Sequence, residues 1–386
     1  MTEIVKCDQC HTTASFFNRH RYAGVCGACF NFNKVTPAVY AQRYQDLLHI
    51  FSEAKKRSRG KQYDCIYVAR ADAEDFFCVH LLVQEGLSVL VVLTNNYFLN
   101  DLAWHNFHQL VTYFDVDSVT YNPNLHTYKE LVRTSLRRYN SIYYPFKAIL
   151  HHFVLKIASE KAVPLVVWGQ CQPLEFDGKF QKTDELRLSE WWILEHELNG
   201  VTPERFLGSG AQLEAGTARH FTFPSVSTGV NREVIFLSNF TRWDQATQNS
   251  DALDFGFEPD APNNTFDQFE NAGSSVYYQL HDLLRVLNHG FPKLAVHLAR
   301  EIRFGRREKL DCQDLTKFLA YDPAPFFKDF LNTTTSGYRW FLEHRLSTVQ
   351  HLIREAPEIN LAKQMASPKP LQNKNIQDFV IFKKGI

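Results

Sequence analysis

The sequence has no long apolar segment and no excess of charge of either sign. Residues 1–6 lack the apolar core of a secretory signal, so we expect no signal peptide. The longest apolar stretch, residues 87–94, is far too short to cross a bilayer. The chain carries 42 basic and 42 acidic residues, and the basic ones form no broad stripe. We therefore expect a cytoplasmic protein with no membrane insertion and no nucleic-acid partner.

Glycine is missing from the loop where a nucleotide-binding α/β protein would hold phosphate. The apolar run 65–69 predicts a buried strand, and an acidic helix start follows it. Phosphate is bound at such a first strand-to-helix junction. Here residues 70–75 contain no glycine and three carboxylates, Asp72, Glu74 and Asp75. Side chains obstruct the close approach of backbone to phosphate, and carboxylates repel it unless a metal ion intervenes.

Cysteine is plentiful, and four of the eight cysteines stand near the N-terminus in a metal-binding pattern. Cys7-x2-Cys10 is followed, after fifteen residues, by Cys26-x2-Cys29. Reduced cysteines at this spacing are typical of a structural zinc ribbon, with four thiolates arranged tetrahedrally around the ion. All four positions are then protein ligands, so no position remains open for catalysis.

Strand and helix patterns alternate between residues 61 and 180. Strands are predicted at 65–69, 88–94, 116–121 and 165–168, and helices at 74–84, 101–114, 128–139 and 146–159. This alternation predicts an open parallel sheet with helices on both faces. Ligands of such sheets bind at the carboxyl ends of the strands, which here are residues 70–75, 94–96, 122–124 and 169–172.

The remaining segments complete five predicted regions. A zinc ribbon is expected at 1–34, a linking helix at 35–60 with its helical part at 37–56, the α/β domain at 61–180, a mostly helical substrate or partner region at 181–345, and a C-terminal helix end with a flexible tail at 346–386. Within the fourth region helices are predicted at 185–197, 282–287, 294–303, 314–318 and 337–355, with a loop-rich section at 208–229 and a short strand at 233–237.

Several short phrases, in order along the chain, carry a resemblance to a known family. They are the two Cys-x2-Cys pairs, Tyr-Asp-Cys-Ile at 63–66, Val-Pro-Leu-Val-Val-Trp-Gly-Gln at 163–170, Phe-Leu-Ser-Asn-Phe-Thr-Arg-Trp-Asp at 236–244, Asn-Thr-Phe-Asp-Gln-Phe-Glu-Asn at 264–271, His-Gly-Phe at 289–291 and Glu-Ile-Arg-Phe-Gly-Arg at 301–306. Together they resemble the N-acetyl sugar amidotransferases of bacterial surface-polysaccharide (O-antigen and lipopolysaccharide) synthesis, over about residues 5 to 345.

The resemblance implies a PP-loop ATP-pyrophosphatase with a HUP-type α/β domain at 61–180. Such enzymes use ATP and Mg²⁺ to adenylate an amide oxygen of a nucleotide-linked N-acetyl sugar. Ammonia, usually delivered by a glutaminase partner, then displaces AMP. The site needs a phosphate cradle with Mg²⁺ and an ammonia path shielded from water.

The resemblance also implies roles for individual residues. The cofactor-binding positions are Arg70, Asp72, Glu74, Asp75, Thr94, Trp168, Gly169 and Gln170, and the catalytic positions are Asp244, Glu301, Arg303 and Arg306. The family has Ser-Gly-Gly-Lys-Asp-Ser at 70–75, and usually Glu where Gln170 stands. The change at 70–75 removes both glycines, both hydroxyls and the lysine, which indicates loss of the usual ATP chemistry.

Three interpretations remain open at the level of sequence. The chain is a divergent amidotransferase with an altered nucleotide site, an inactive relative that binds a sugar nucleotide or a partner, or a repurposed fold with metal-dependent chemistry at Asp72, Glu74 and Asp75. The residues matched to the family also have a plain structural interpretation. Trp168 is then a core aromatic, and Glu301 forms an ion pair with Arg303 or Arg306.

Overall fold

The N-terminal part of the chain forms a small unit around the four clustered cysteines. The structure, a computed structural model, describes residues 7–11, 21–22, 24–171, 187–202, 205–206, 232–259, 267–269, 276–289, 292–307 and 323–346. A short antiparallel pair, β1 (Arg21–Tyr22) and β2 (Val25–Cys26), leads into α1 (Gly27–Lys34). Gly24 has a φ of +85°, a left-handed conformation that suits glycine and allows the tight turn between these strands.

The predicted linking helix is present as α2 (Pro37–Arg57). Thr36 caps its N-terminus by accepting a hydrogen bond from the Val39 N–H at 3.4 Å, and Pro37 occupies the first turn, where no N–H partner is lost. Leu47, Ile50, Phe51 and Ala54 form its buried face and pack on the central sheet. The helix therefore joins the cysteine unit to the α/β domain.

Five parallel strands form the central sheet. They are β3 (Cys65–Ala69), β4 (Val89–Thr94), β5 (Asp117–Tyr121), β6 (Leu165–Trp168) and β7 (Glu233–Phe236). Their order is β5-β4-β3-β6-β7, and every neighbouring pair is parallel. All residues of β3, β4 and β6 are buried, as expected for strands covered on both faces.

Helices cover both faces of this sheet, as the sequence predicts. The helices of the α/β domain are α3 (Ala73–Gln84), α4 (Asp101–Phe114), α5 (Leu125–Tyr139) and α6 (Tyr144–Glu160). Because side chains alternate along a strand, Tyr67 of β3 packs with α2, α3 and α4, whereas Val68 packs with α5 and α6. The two faces thus form separate hydrophobic clusters.

The second region is mostly helical in its described parts. It contains α7 (Glu190–Trp192, continued by the π-helical turn Ile193–Glu197), α8 (Gln245–Asp251), α9 (Tyr278–His289), α10 (Lys293–Arg303), a π-helix (Phe326–Phe330) and α11 (Thr335–Phe341, continued by the π-helical turn Leu342–Leu346). The predicted helix at 314–318, the loop-rich section at 208–229 and the tail lie outside the described residues. No helix in the described ranges has the length and apolar character required to cross a membrane.

One strand of the second region belongs to the central sheet. The strand predicted at 233–237 pairs with β6 as β7, in the register Val166 with Val234 and Trp168 with Phe236. A four-residue apolar strand does not encode its own neighbour, and its pairing partner lies far away in the sequence. The α/β domain therefore extends past the predicted boundary at residue 180.

Much of the aromatic content fills the space between the sheet and the C-terminal helices. Phe98 is fully buried and lies edge-on to several rings at centroid distances between 4.9 and 6.1 Å, namely Tyr143, Tyr277, Phe326 and Phe330. Edge-to-face packing is the favoured arrangement of aromatic pairs. In this part of the protein, the many phenylalanine and tyrosine side chains form an aromatic core.

Candidate functional site

The strand order creates a crevice between β3 and β6. From β3 the chain continues to β4 and β5 on one side of the sheet, and from β6 it continues to β7 on the other side. Open α/β sheets bind ligands at such a switch point, beyond the carboxyl ends of the strands. The residues that leave the strands there are Arg70 after β3, Thr94 at the end of β4, and Gly169 and Gln170 after β6. We call this region the carboxyl edge. It brings together all of the predicted cofactor-binding positions.

The loop after β3 forms a concave set of backbone N–H groups, and the Asp75 carboxylate fills it. Asp75 Oδ2 accepts hydrogen bonds from the N–H groups of Arg70 at 2.9 Å, Ala71 at 2.6 Å and Asp72 at 3.3 Å. Its Oδ1 accepts one from the Tyr67 hydroxyl at 2.8 Å. Successive N–H groups of this kind make an anion-binding nest. We call these three N–H groups the loop nest. The anion that they bind is the Asp75 carboxylate of the same chain.

The backbone of the loop nest has the conformation that such a loop requires, although glycine is absent. Ala71 has a φ of +62°, in the left-handed region that glycine usually occupies. The hydrogen bonds to Asp75 hold this conformation in place. Burial raises the pKa of Asp75 to about 6, and the hydrogen bonds from Tyr67 and the loop N–H groups oppose that shift. Above about pH 6 the loop nest therefore contains a negative charge.

Glu74 closes the crevice between β3 and β6. Its Oε1 accepts a hydrogen bond from the Gln170 N–H at 2.7 Å, and the side chain is buried against Gly169. A Cβ on residue 169 would lie 2.0 Å from Glu74 Oε1 and 2.7 Å from its Cδ, so this contact requires glycine. Glycine at position 169 therefore allows the Glu74 side chain to approach the backbone that follows β6.

The acidic loop does not form a metal-binding group. Asp75 and Glu74 direct their carboxylates at different backbone N–H groups, and Asp72 is the N-cap of α3. Among the described residues, the only group of three or more His, Cys, Asp or Glu side chains with converging ligand atoms is the N-terminal cysteine cluster. The loop residues also do not fit ATP with Mg²⁺, because the nest is occupied.

A chain of buried polar contacts runs from the crevice to α10. The side-chain oxygen Oε1 of Gln170 accepts a hydrogen bond from Gln245 Nε2 at 2.9 Å. The side-chain oxygen of Gln245 accepts one from the Arg300 guanidinium, which also donates to Asp267 at 2.9 Å and to Glu301 at 2.7 Å. Arg300 and both carboxylates are almost fully buried, so each charge is compensated inside the protein.

Three of the four predicted catalytic residues bind one another. Arg306 forms a bidentate pair with Asp244, at 2.8 and 2.9 Å, and its Nε donates to Glu301 at 2.6 Å. Although desolvation opposes them, the contacts with Arg306 lower the pKa of Asp244 and of Glu301. The bidentate geometry is the strongest form of this ion pair. Of the structural alternatives considered for Glu301, the pair with Arg306 is the one observed.

Arg303, the fourth predicted catalytic residue, lies beside the cysteine cluster. Hydrogen bonding with Cys10 and the other cysteines raises the pKa of Cys29, whereas the nearby positive charge of Arg303 lowers it. Ala299 and Ile302 of the same helix pack against the cysteines. One side of α10 therefore faces the cysteine cluster, and the residues Arg300 and Glu301 connect it to the carboxyl edge.

The four N-terminal cysteines have an arrangement that could hold a metal ion and is compatible with zinc. The Sγ atoms of Cys7, Cys10, Cys26 and Cys29 all lie within 4.8 Å of one another and are buried. The Cys10 and Cys26 sulfurs are 3.8 Å apart, which matches the edge of a tetrahedron with Zn–S bonds of about 2.3 Å. These thiols would hold the ion, and four thiolates leave no position for a substrate.

A second group of charges lies on the α5 and α6 face of the carboxyl edge. Lys147 and His151 stand one helical turn apart on α6, and Glu197 from the turn after α7 accepts a hydrogen bond from Lys147 Nζ at 3.0 Å. Arg70 interacts electrostatically with Glu197, Glu74 and Asp72. We call Arg70, Lys147, His151 and Glu197 the Glu197 cluster.

Sequence reasoning missed the residues that hold these groups together. Arg300 and Gln245 carry no motif of their own, and their partners are distant in the chain. The spacing of Lys147 and His151 on a predicted helix was the one available signal, since residues four apart share a face. The Glu197 carboxylate gave no signal in the sequence.

Comparison with known proteins adds no relative to this picture. No family model matches the chain, and no curated protein matches it significantly. The function must therefore be inferred from the residues and their arrangement.

Proposed function

We propose that this chain is a non-catalytic relative of the N-acetyl sugar amidotransferases, with a HUP-type α/β domain whose first loop no longer binds ATP. The observation that carries the proposal is the Asp75 carboxylate, which accepts hydrogen bonds from three successive loop N–H groups. A phosphate bound to the loop would need the same donors. The replacement of the family's glycines, hydroxyls and lysine at 70–75 agrees with this loss.

The pairing of the other matched residues also supports a structural role for them. Arg306 is bound to Asp244 and Glu301, so its guanidinium already has two carboxylate partners. Glu74 accepts the N–H of Gln170 across the crevice. In an active enzyme of this class, groups at the carboxyl ends of the strands would instead face the substrate.

The role that fits a retained fold without its ATP site is that of a binding or scaffolding subunit. Its proposed setting is cytoplasmic surface-polysaccharide synthesis, with a nucleotide-linked N-acetyl sugar or an active amidotransferase and its glutaminase as partners. Zinc in the Cys7, Cys10, Cys26 and Cys29 cluster would then have a purely structural function.

The decisive experiment is a titration of the zinc-loaded full chain with ATP and Mg²⁺ by isothermal calorimetry. We expect no binding, because the loop nest contains its own carboxylate. A parallel assay follows AMP release in the presence of a nucleotide-linked N-acetyl sugar and ammonium, and we expect none. Micromolar ATP binding together with AMP release would contradict the proposal and establish a divergent active amidotransferase.

A second titration, with the nucleotide-linked N-acetyl sugar alone, distinguishes a ligand-binding subunit from a scaffolding subunit. Binding of the sugar nucleotide without turnover supports a ligand-binding subunit. Its absence restricts the proposal to the scaffolding form, for which co-purification with an active amidotransferase from the same cells is the expected result.

A further inference from the structure

The Glu197 cluster has the composition of an anion-binding site whose present anion belongs to the chain. Glu197 is 7% exposed in its side chain and bonds to Lys147, whose own side chain is 41% exposed. Burial raises the pKa of Glu197, but Lys147, His151 and Arg70, in that order, favour its ionised form and together lower the pKa to about 2. The cluster is therefore strongly selective for a negative charge at this position.

Two buried polar groups on the same face point to a further ligand. Within the described part of the chain, the Thr94 hydroxyl and the Trp168 indole N–H have no hydrogen-bond partner, although these residues are only 2% and 3% exposed. An unsatisfied buried donor is costly and rare in folded proteins. These two groups lie at the ends of β4 and β6, on either side of β3, and each lacks the partner that a buried donor needs.

The strand register places these groups around Arg70. Ala69 pairs with Leu93, so Arg70 and Thr94 follow on the opposite face, together with Val68 and Val92. Trp168 lies on that face as well, and its ring is tilted by 33° against the His151 ring at a centroid distance of 4.5 Å. The donors and the cations thus lie on one face of the carboxyl edge, where ligands of open α/β sheets bind.

We propose that this face binds a compact oxyanion, a carboxylate or phosphate group of a small molecule, which takes the place of the Glu197 carboxylate. The charges favour exchange over addition. Arg70 and Lys147 supply two positive charges, and Glu197, Glu74 and Asp72 already supply three negative ones. An incoming anion keeps the number of negative charges at three only if the Glu197 carboxylate moves away. The partly exposed Lys147 provides the route by which the anion enters from solvent.

This site is separate from the loop nest on which the proposed function depends. It uses the side chains of Arg70, Lys147, Thr94 and Trp168, whereas the loop nest uses backbone N–H groups bound to Asp75. Absence of ATP binding would therefore leave the oxyanion site unaffected. Conversely, failure of the oxyanion site would not restore the loop nest.

The test is a calorimetric titration of the zinc-loaded full chain with inorganic phosphate, and separately with acetate, at constant ionic strength. Glu197→Gln removes the internal anion while keeping the side-chain shape. We expect this variant to bind phosphate or acetate about tenfold more tightly than the wild type, since charge-assisted hydrogen bonds to two cations become available. The preferred probe distinguishes a phosphate ligand from a carboxylate ligand.

Glu195→Gln is the matched control, because Glu195 lies on the same π-helical turn and is exposed. It should bind both probes like the wild type. Thr94→Val and Trp168→Phe, each combined with Glu197→Gln, should weaken binding, because each removes one unsatisfied donor; Thr94→Val does so with little change in shape. Lys147→Met combined with Glu197→Gln should abolish binding.

If Glu197→Gln is less stable than the wild type, its melting temperature and its indole N–H signals still test the proposal. Phosphate should raise the melting temperature of that variant more than that of Glu195→Gln, and should shift the Trp168 indole N–H signal in a ¹H–¹⁵N spectrum, assigned with Trp168→Phe. Equal affinity of folded Glu197→Gln and wild type would overturn the proposal. So would a phosphate-induced shift confined to indole groups other than Trp168.

Discussion

Asp75 determines the state of the loop after β3 through its own carboxylate. The side chain is 1% exposed and satisfies three backbone N–H groups and the Tyr67 hydroxyl. Buried N–H groups need a partner, and in this loop the partner comes from the first turn of α3. A single carboxylate thereby occupies the donors of the loop nest and bonds to the N–H of Ala71, whose backbone is left-handed.

Replacing Asp75 by alanine should lower the free energy of unfolding by about 2 to 3 kcal/mol, because the loop N–H groups lose a charged acceptor. Urea denaturation followed by circular dichroism measures this change. Asp101→Ala is the matched control, since Asp101 also lies in the first turn of a helix, α4, but is exposed. Its effect should be about 0.5 kcal/mol, and equal losses in the two variants would contradict the role assigned to Asp75.

At the scale of elements, α10 connects two parts of the protein. Ala299 and Ile302 face the cysteine cluster, and Phe304, just beyond the helix, packs edge-on against Phe32 of α1 at 5.0 Å. Arg300 faces the buried carboxylates of Asp267 and Glu301. A contiguous set of contacts therefore runs from the cysteine cluster through α10 to Gln245 and Gln170.

Arg300→Met should lower the free energy of unfolding by about 3 to 5 kcal/mol, because it leaves the buried Asp267 and Glu301 carboxylates with fewer positive partners. Urea denaturation at neutral pH provides the measurement. Arg339→Met, at an exposed position on α11, should change stability by no more than about 0.5 kcal/mol. A loss below about 1 kcal/mol for Arg300→Met would show that the network is not needed for stability.

Loss of zinc should loosen α10. Cys10→Ser removes one thiolate ligand and should abolish stoichiometric zinc binding, measured by metal analysis of the purified chain. Faster amide exchange in residues 293–303 should accompany it, since Ala299 and Ile302 pack on the cysteines. Cys78→Ala, a buried cysteine of α3, should retain zinc and wild-type exchange in α10. Unchanged exchange in zinc-free Cys10→Ser would refute the coupling.

At the scale of the whole molecule, the buried side chains of His151 and Asp75 have opposite effects on stability as the pH falls. Burial lowers the pKa of His151 from 6.5 to about 4, although Glu197 opposes this shift. The unfolded chain therefore binds a proton at this position before the folded protein does, and stability is lost as pH falls from about 6.5 to about 4. Asp75, with a pKa raised to about 6, acts in the opposite direction between about 6 and 3.8.

A comparison of the wild type with His151→Gln isolates the first of these effects. Each pKa unit corresponds to about 1.4 kcal/mol, so the wild type should lose up to about 3 kcal/mol more than the variant between about pH 7 and pH 4. Urea denaturation at a series of pH values measures the difference, and the contribution of Asp75 cancels because both proteins contain it. A constant difference across this range would disprove the neutral buried state of His151.

The sequence by itself determined the features that depend on local pattern. The cysteine spacing predicts the four clustered thiols, and the apolar runs predict β3 and β6 with the bounds observed. The absence of glycine at 70–75 correctly marks the loop as unusual. These features are readable because strand formation and knuckle geometry depend on residues close together in the chain.

Only the tertiary structure decided which groups meet. Asp244 and Arg306 are 62 residues apart, Gln170 and Gln245 are 75 apart, and β7 joins a sheet from which the sequence pattern separates it. The sequence shows that the loop after β3 is acidic, whereas the structure shows the carboxylate of Asp75 turned inward onto the N–H groups that a phosphate would need. The Asp75 partners are only three to eight residues away, but the direction of its carboxylate is set by burial and by the demand of backbone donors for acceptors.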